Sequence, residues 1–214
     1  MAIDESIFEE LADGLPPEFL WSLAYRESGL DPTRVNPTSR ATGLFQITAP
    51  VLKDYNRANA TSYQLEALTE PVLATKVAVF HIHRIIALWK PVPALAADFS
   101  DRRFVELLVL GWNAGPSAVL KVAKRLTEVG VPPERITAAS VNEAAAKMSP
   151  GSWIARPERL GFARLVATTY ADTRAGRGRL VASLQGDSSD ITGPAVLAAL
   201  GVGAAVAAVN GAEG

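Results

Sequence analysis

Glu27 ends an apolar stripe. Leu20, Leu23, Ala24 and Glu27 stand three, four and seven residues apart, the spacing that places side chains on one face of a helix. Gly29 and a polar loop follow at once. A carboxyl group buried on such a face tends to keep its proton, because burial disfavours the charged form and raises the pKa. A carboxylic acid still protonated near neutral pH is what general acid catalysis requires. The plainer alternative is a helix-end carboxylate, solvated or paired with Arg26 or Arg40.

Three segments give Glu27 a context. The first is Glu27-Ser28-Gly29-Leu30-Asp31-Pro32. The second is Ser39-Arg40-Ala41-Thr42-Gly43-Leu44-Phe45-Gln46-Ile47. The third, much later, is Leu110-Gly111-Trp112-Asn113-Ala114-Gly115-Pro116. In this order they resemble the soluble-type lytic transglycosylases, which have a goose-type lysozyme fold. That family carries a Glu-Ser pair on a helix, a Gly-Leu-Met/Phe-Gln segment and Tyr-Asn-Ala-Gly-Pro. Arg156-Pro157-Glu158-Arg159, leading to Phe162 and Tyr170, is similar to the family's late Pro-Glu-Thr-Arg and Tyr-Val helix. The resemblance runs from about Pro17 to Asp172.

The resemblance implies an all-α, lysozyme-like domain that cleaves the MurNAc-GlcNAc bond of peptidoglycan with one glutamate and no cofactor. Glu27 would protonate the glycosidic oxygen, and an oxocarbenium-like centre would develop on MurNAc. The substrate's own N-acetyl group would stabilise that centre. Glu27, now a carboxylate, would take the proton of the C6 hydroxyl as that oxygen closes on C1, giving a 1,6-anhydro sugar. One residue alternating between acid and base needs a pKa near the working pH.

The same resemblance assigns substrate-binding roles. Gln46 and Asn113 carry amides that both donate and accept, suited to Glu27 or a sugar acetamido group. Gly43 allows close backbone approach beside Gln46. Phe45 and Trp112 offer flat apolar faces for sugar rings, with ordinary core as the alternative. Ser39 and Ser28 are placed to hydrogen-bond in the cleft or to cap turns. Two positions depart from the family. Trp112 replaces a tyrosine, exchanging a hydroxyl for an indole N–H, and Phe162 stands where the late helix often has Tyr. Tyr25, Tyr55 or Tyr170 could restore a hydroxyl.

A hydrolytic lysozyme is the enzymatic alternative, and it would want a second carboxylate at a defined distance. Asp31 lies four residues beyond Glu27, but Pro32 disfavours a continued helix, and an Asx turn is expected there. Glu70 and Glu106 have no specific support. His81 and His83 are two apart on a helix, point to different sides and make poor joint metal ligands. The arginines between Arg156 and Arg179 read as a solvated basic face. A non-enzymatic alternative is a structural or membrane-active virion component that uses a lysozyme-like domain for assembly.

The elements that must position these residues read as helices nearly throughout. Pro17 to Gly29 opens on Pro16-Pro17. Asp31 to Thr42 reads as a loop, and Gly43 to Asn56 as helical in part, with Pro50 near a start or break. Thr69-Glu70-Pro71 suggests a capping hydroxyl, an early acid and an early proline opening a helix to Lys90. Further helices are expected over Asp101–Asn113, Ser117–Val129 and Pro157–Thr173, with a capping box at Ser140–Glu143. No sustained alternation of period two predicts a sheet.

The 214 residues, 49% of them hydrophobic, suit one domain with an appendage: a lead-in over 1–16, a catalytic domain over 17–174, a linker over 175–194 and an apolar segment over 195–214. A net charge of −1 gives no general drive toward nucleic acid. Absent cysteine excludes a disulfide framework and a thiolate nucleophile. The acidic start has neither the basic nor the apolar region of a secretory signal. Combined with a cell-wall substrate, this suggests action in the bacterial envelope after delivery by a phage virion or another signal-independent route. Residues 195–209 are 15 in succession without a polar side chain. They suggest packing on the domain, self-association or membrane contact, though ~20 apolar residues are needed to span.

Overall fold

The computed structural model describes residues 3–149 and 151–176. The linker and the apolar C-terminal segment expected from the sequence lie outside the described residues. Within them are α1 (Ser6–Glu10), α2 (Pro17–Ser28), α3 (Ala49–Asn59), α4 (Pro71–Trp89), α5 (Arg102–Ala114), α6 (Pro116–Glu128), α7 (Ala138–Met148) and α8 (Pro157–Arg174). The described residues contain no strand, only isolated bridges from Thr42 to Val35 and to Ile47. The fold class is therefore all-α, as the missing alternation predicts.

α5 forms the middle of the core. Leu107, Leu108, Val109, Leu110 and Gly111 are all buried, so the helix is covered on every side. It packs on α4, α6, α7 and α8, and α2 also packs on α8. Burying a large aliphatic or aromatic side chain contributes roughly 1.5–3 kcal/mol, so this helix carries much of the stabilisation. Gly111 is required there, because a Cβ would lie 2.6 Å from the buried Trp89 ring. Trp89 closes the end of α4 against this bare stretch, and its indole N–H donates to the Pro116 carbonyl at 3.0 Å. That bond pins the turn between α5 and α6, just after Trp112 and Asn113.

α2 starts with Pro17 in its first turn and stops at Gly29, which adopts φ 71° and donates to the Tyr25 carbonyl. Leu20, Leu23 and Ala24 are buried, so the stripe predicted from spacing does face the core. The segment before Pro17 is not a separate lead-in: Ile7, Phe8, Ala12 and Leu15 are buried in the same body.

Two local expectations shift, and a third is narrowed. The cap of α4 is Glu70 and not Thr69. The Glu70 carboxylate accepts from the Val72 and Leu73 amides, while the Thr69 hydroxyl donates to the Glu66 carbonyl. The capping box sits three residues earlier than Ser140–Glu143: Thr137 and Ser140 exchange side-chain and backbone hydrogen bonds. Gly43 to Thr48 is a turn, and the helix begins only at Ala49. Gln46 has φ 47°, a left-handed conformation incompatible with a continuous right-handed helix.

Candidate active site

Two helix ends and one loop build the site. Glu27 occupies the last turn of α2, and Trp112 and Asn113 occupy the last turn of α5. The packing of both helices on α8 brings these ends together and adds Arg159 from the first turn of α8. The loop over 31–48 closes the remaining side. Asn36 holds it compact, its side-chain oxygen accepting from the Thr38 and Ser39 amides at 3.0 and 2.9 Å. A cleft of about 400 Å³ results, lined among others by Glu27, Arg34, Ser39, Gln46, His81, Trp112, Asn113 and Arg159.

Glu27 is the only acid lining this cleft among the described residues. Its burial raises the carboxyl pKa to about 8 from an ordinary value of 4.5. Three groups oppose that shift: the Trp112 indole N–H, then the Arg34 and Arg159 guanidiniums. The indole donates to Oε1 of Glu27 at 2.9 Å. Burial outweighs all three, so at neutral pH the group is mostly a carboxylic acid. The same three groups would stabilise the carboxylate once its proton has left. Both roles of an acid that becomes a base are thus served by one environment.

The cleft gathers five of the seven residues that the sequence nominated: Glu27, Ser39, Gln46, Trp112 and Asn113. Phe45 is excluded. It is fully buried, edge-on to Phe8 with ring centroids 6.1 Å apart, and offers no face to a sugar. The turn at Gly43–Gln46 sends Phe45 into the core and Gln46 toward the cleft. The Gln46 amide nitrogen donates to the Arg34 and Gly43 carbonyls, both at 3.1 Å. Its carbonyl oxygen is then the group left to accept from a ligand. Asn113 has a buried Nδ2 without a partner among the described residues, and its backbone carbonyl accepts from Arg159. Ser28 is buried and bonded to the Ala24 carbonyl, outside the cleft.

The other carboxylates stay away. Asp31 forms the expected Asx turn with Thr33. Glu70 caps α4, and Glu106 pairs with Arg102. Tyr25, Tyr55 and Tyr170 do not line the cleft, and the indole of Trp112 takes the place beside Glu27.

Four further residues line the cleft: three lie outside the motifs, and Arg159 ends the Arg156-Pro157-Glu158-Arg159 segment without being read as a site residue. Arg34 lies in the loop with no spacing to mark it. Arg159 belongs to the basic run read as solvated, yet it enters the cleft. Trp153 at the rim stacks with Arg156 and Arg159, whose guanidinium carbons lie 4.1 and 3.7 Å from its ring centroid. His81, discounted as a metal ligand, lies edge-on to Trp112 at 5.3 Å. Burial, aided by Arg84, depresses its pKa to about 4, so it is neutral at physiological pH. Its partner in sequence, His83, instead turns to Asp13.

Trp112→Phe should keep the ring and delete the N–H. Because that N–H favours the charged carboxyl, its loss should raise the Glu27 pKa further, by about one unit. Carbon NMR titration of Glu27 checks this; an unchanged midpoint would remove the indole from its electrostatic role.

A family model described as the transglycosylase SLT domain matches residues 5–129. Among solved structures, the 70 kDa soluble lytic transglycosylase of Escherichia coli is similar, with a TM-score of 0.56 and 18% identity. The similarity covers 82% of this chain and 25% of that one, so the present chain spans about a quarter of its relative. No curated protein matches. At such identity the structural likeness shows the fold, which is that of the lysozyme-like helical domains. The family model, however, covers more than half of the 214 residues, and on that ground the chain belongs to the transglycosylase SLT domain family.

Proposed function

We propose that this domain is a lytic transglycosylase that cleaves the β-1,4 bond between MurNAc and GlcNAc in peptidoglycan, acting in the bacterial envelope. One observation carries the reading: a single buried, protonated carboxyl group lies in a cleft that no second acid lines among the described residues. Two-carboxylate hydrolysis needs a partner for water or for a covalent intermediate. A reaction with an internal nucleophile needs only one.

The Glu27 proton passes to the glycosidic oxygen, and the C1–O bond breaks to release the GlcNAc 4-hydroxyl. The N-acetyl oxygen of MurNAc supports C1. The Glu27 carboxylate, held by Trp112 and flanked by Arg34 and Arg159, then takes the C6 hydroxyl proton while O6 bonds to C1. Glu27 ends as it began, and no water is consumed. Arg34 and Arg159 leave the cleft positive while Glu27 is neutral, which suits a polymer bearing lactyl and peptide carboxyl groups.

Mass spectrometry of products from purified sacculi tests this. The expected products are 1,6-anhydro-muropeptides. Products heavier by one water, with reducing ends, would establish a hydrolytic lysozyme in place of a lytic enzyme. An absence of products from correctly folded protein would favour an assembly role.

A further inference from the structure

A second furrow runs along the seam of α3 and α4. Two concavities of about 530 and 370 Å³ meet at Tyr55 and Lys76. On α3, Val51 lines the catalytic cleft, and Tyr55 and Asn59 line the furrow. These residues are four apart, so they share one helix face over about 12 Å. The furrow therefore begins one helical turn from the cleft.

Its aromatic groups are held in place. Tyr55 packs edge-on against Phe80 with ring centroids 5.4 Å apart. Tyr63 is 43% exposed, yet its backbone is clamped: the Asn56 side chain accepts from the Tyr63 amide at 3.1 Å and donates to its carbonyl at 2.8 Å. Asn56 also accepts from the Thr61 hydroxyl at 2.9 Å. Neither phenol hydroxyl has a hydrogen-bond partner among the described residues. The rim carries three acids, Glu10, Asp13 and Glu70, with Lys76 and Asn59; Glu70 is committed to the cap of α4 and Asp13 lies 3.3 Å from His83, which leaves Glu10 to offset Lys76. Flat faces with uncommitted hydroxyls, an amide and mixed charges fit a sugar ring, which is apolar on its face and rich in hydroxyls at its edge.

We propose that the α3–α4 furrow is an accessory binding site for a glycan strand, with Tyr63 and Tyr55 as its stacking surfaces. The assignment of peptidoglycan as the glycan rests on the function proposed above. A polymer engaged at both places would be held near the cleft between cleavage events.

Cosedimentation with purified sacculi tests the furrow, using the full chain carrying Glu27→Gln so that the strand is not cut. Adding Tyr63→Ala should weaken binding about tenfold, the loss expected for one aromatic contact of roughly 1.4 kcal/mol. Adding Tyr63→Phe, which keeps the ring, should leave binding within about twofold. Equal melting temperatures would show that the fold survives both changes. If the Glu27→Gln chain binds sacculi and Tyr63→Ala binds equally well, the furrow is not a glycan site and the catalytic reading stands. If the Glu27→Gln chain does not bind sacculi at all, the peptidoglycan reading and this inference fall together.

Discussion

Glu27→Gln should abolish glycan cleavage, lowering turnover about a thousandfold or more, while the domain stays folded. The amide keeps the size of the acid and can still accept from the Trp112 indole, but it cannot donate and recover a proton at the cleft. The stability profile should change as well. Folded Glu27 titrates at about 8 and its ordinary value is 4.5, so between these values the folded state binds more protons than the unfolded one. The stabilisation it contributes is therefore fully present below about 4.5 and is lost as the pH rises through 8. Above that window the wild type should be less stable than Glu27→Gln by roughly 3–5 kcal/mol, with the gap closing at acid pH. Denaturant melts at pH 5 and pH 9, beside product release from sacculi, check both halves. A variant that retained wild-type turnover would remove Glu27 from the reaction, and pH-independent stability differences would contradict its burial as a neutral acid.

Gly43→Ala should be the most damaging substitution outside the acid itself. Gly43 adopts φ 79°, and a Cβ there would lie 2.1 Å from the Leu68 carbonyl oxygen. The left-handed conformation alone costs an L-residue roughly 1–2 kcal/mol. The contact adds more, since the obstructing atom is backbone and cannot rotate aside. A loss of about 3 kcal/mol is expected, which lowers the melting temperature by roughly 10 °C. Activity should fall further than stability suggests. Gly43 donates to the Arg34 carbonyl, and its own carbonyl accepts from the Gln46 amide, so the strain falls on the loop that forms one wall of the cleft. An alanine variant with an unchanged melting temperature would show that Leu68 gives way freely.

Helical spacing made the α2 part of the site legible. Three apolar residues on one face determine where Glu27 points, and Gly29 marks where the helix must stop. The same reasoning failed at Phe45. Gly43 to Asn56 reads as helical in part, and the helix occupies only the later portion, from Ala49; the left-handed Gln46 makes the start a turn, and the period of a helix says nothing about which way a turn sends its side chains. Arg34 as a site residue, and the entry of Arg159 into the cleft, were illegible for another reason, although Arg159 ends a recognisable motif. Their approach to Glu27 depends on how the loop folds over and how α8 crosses α2 and α5, and neither leaves a local pattern. Capping slipped for a smaller cause: Thr69 and Glu70 are both competent caps, and only the backbone turn at Glu70 decides between them.

The indole beside Glu27 gives the acid a direction. A tyrosine hydroxyl can donate or accept and can rotate between the two. An indole N–H can only donate. Oε1, which receives it, must therefore remain an acceptor throughout, and the proton has one home, on Oε2. In the proposed reaction the glycosidic oxygen and the C6 hydroxyl lie on the same face of the MurNAc ring. One oxygen atom can then release the proton toward the first and collect it from the second without the carboxyl group turning over. In that reaction Trp112 would turn a symmetric carboxyl group into a one-sided proton shuttle.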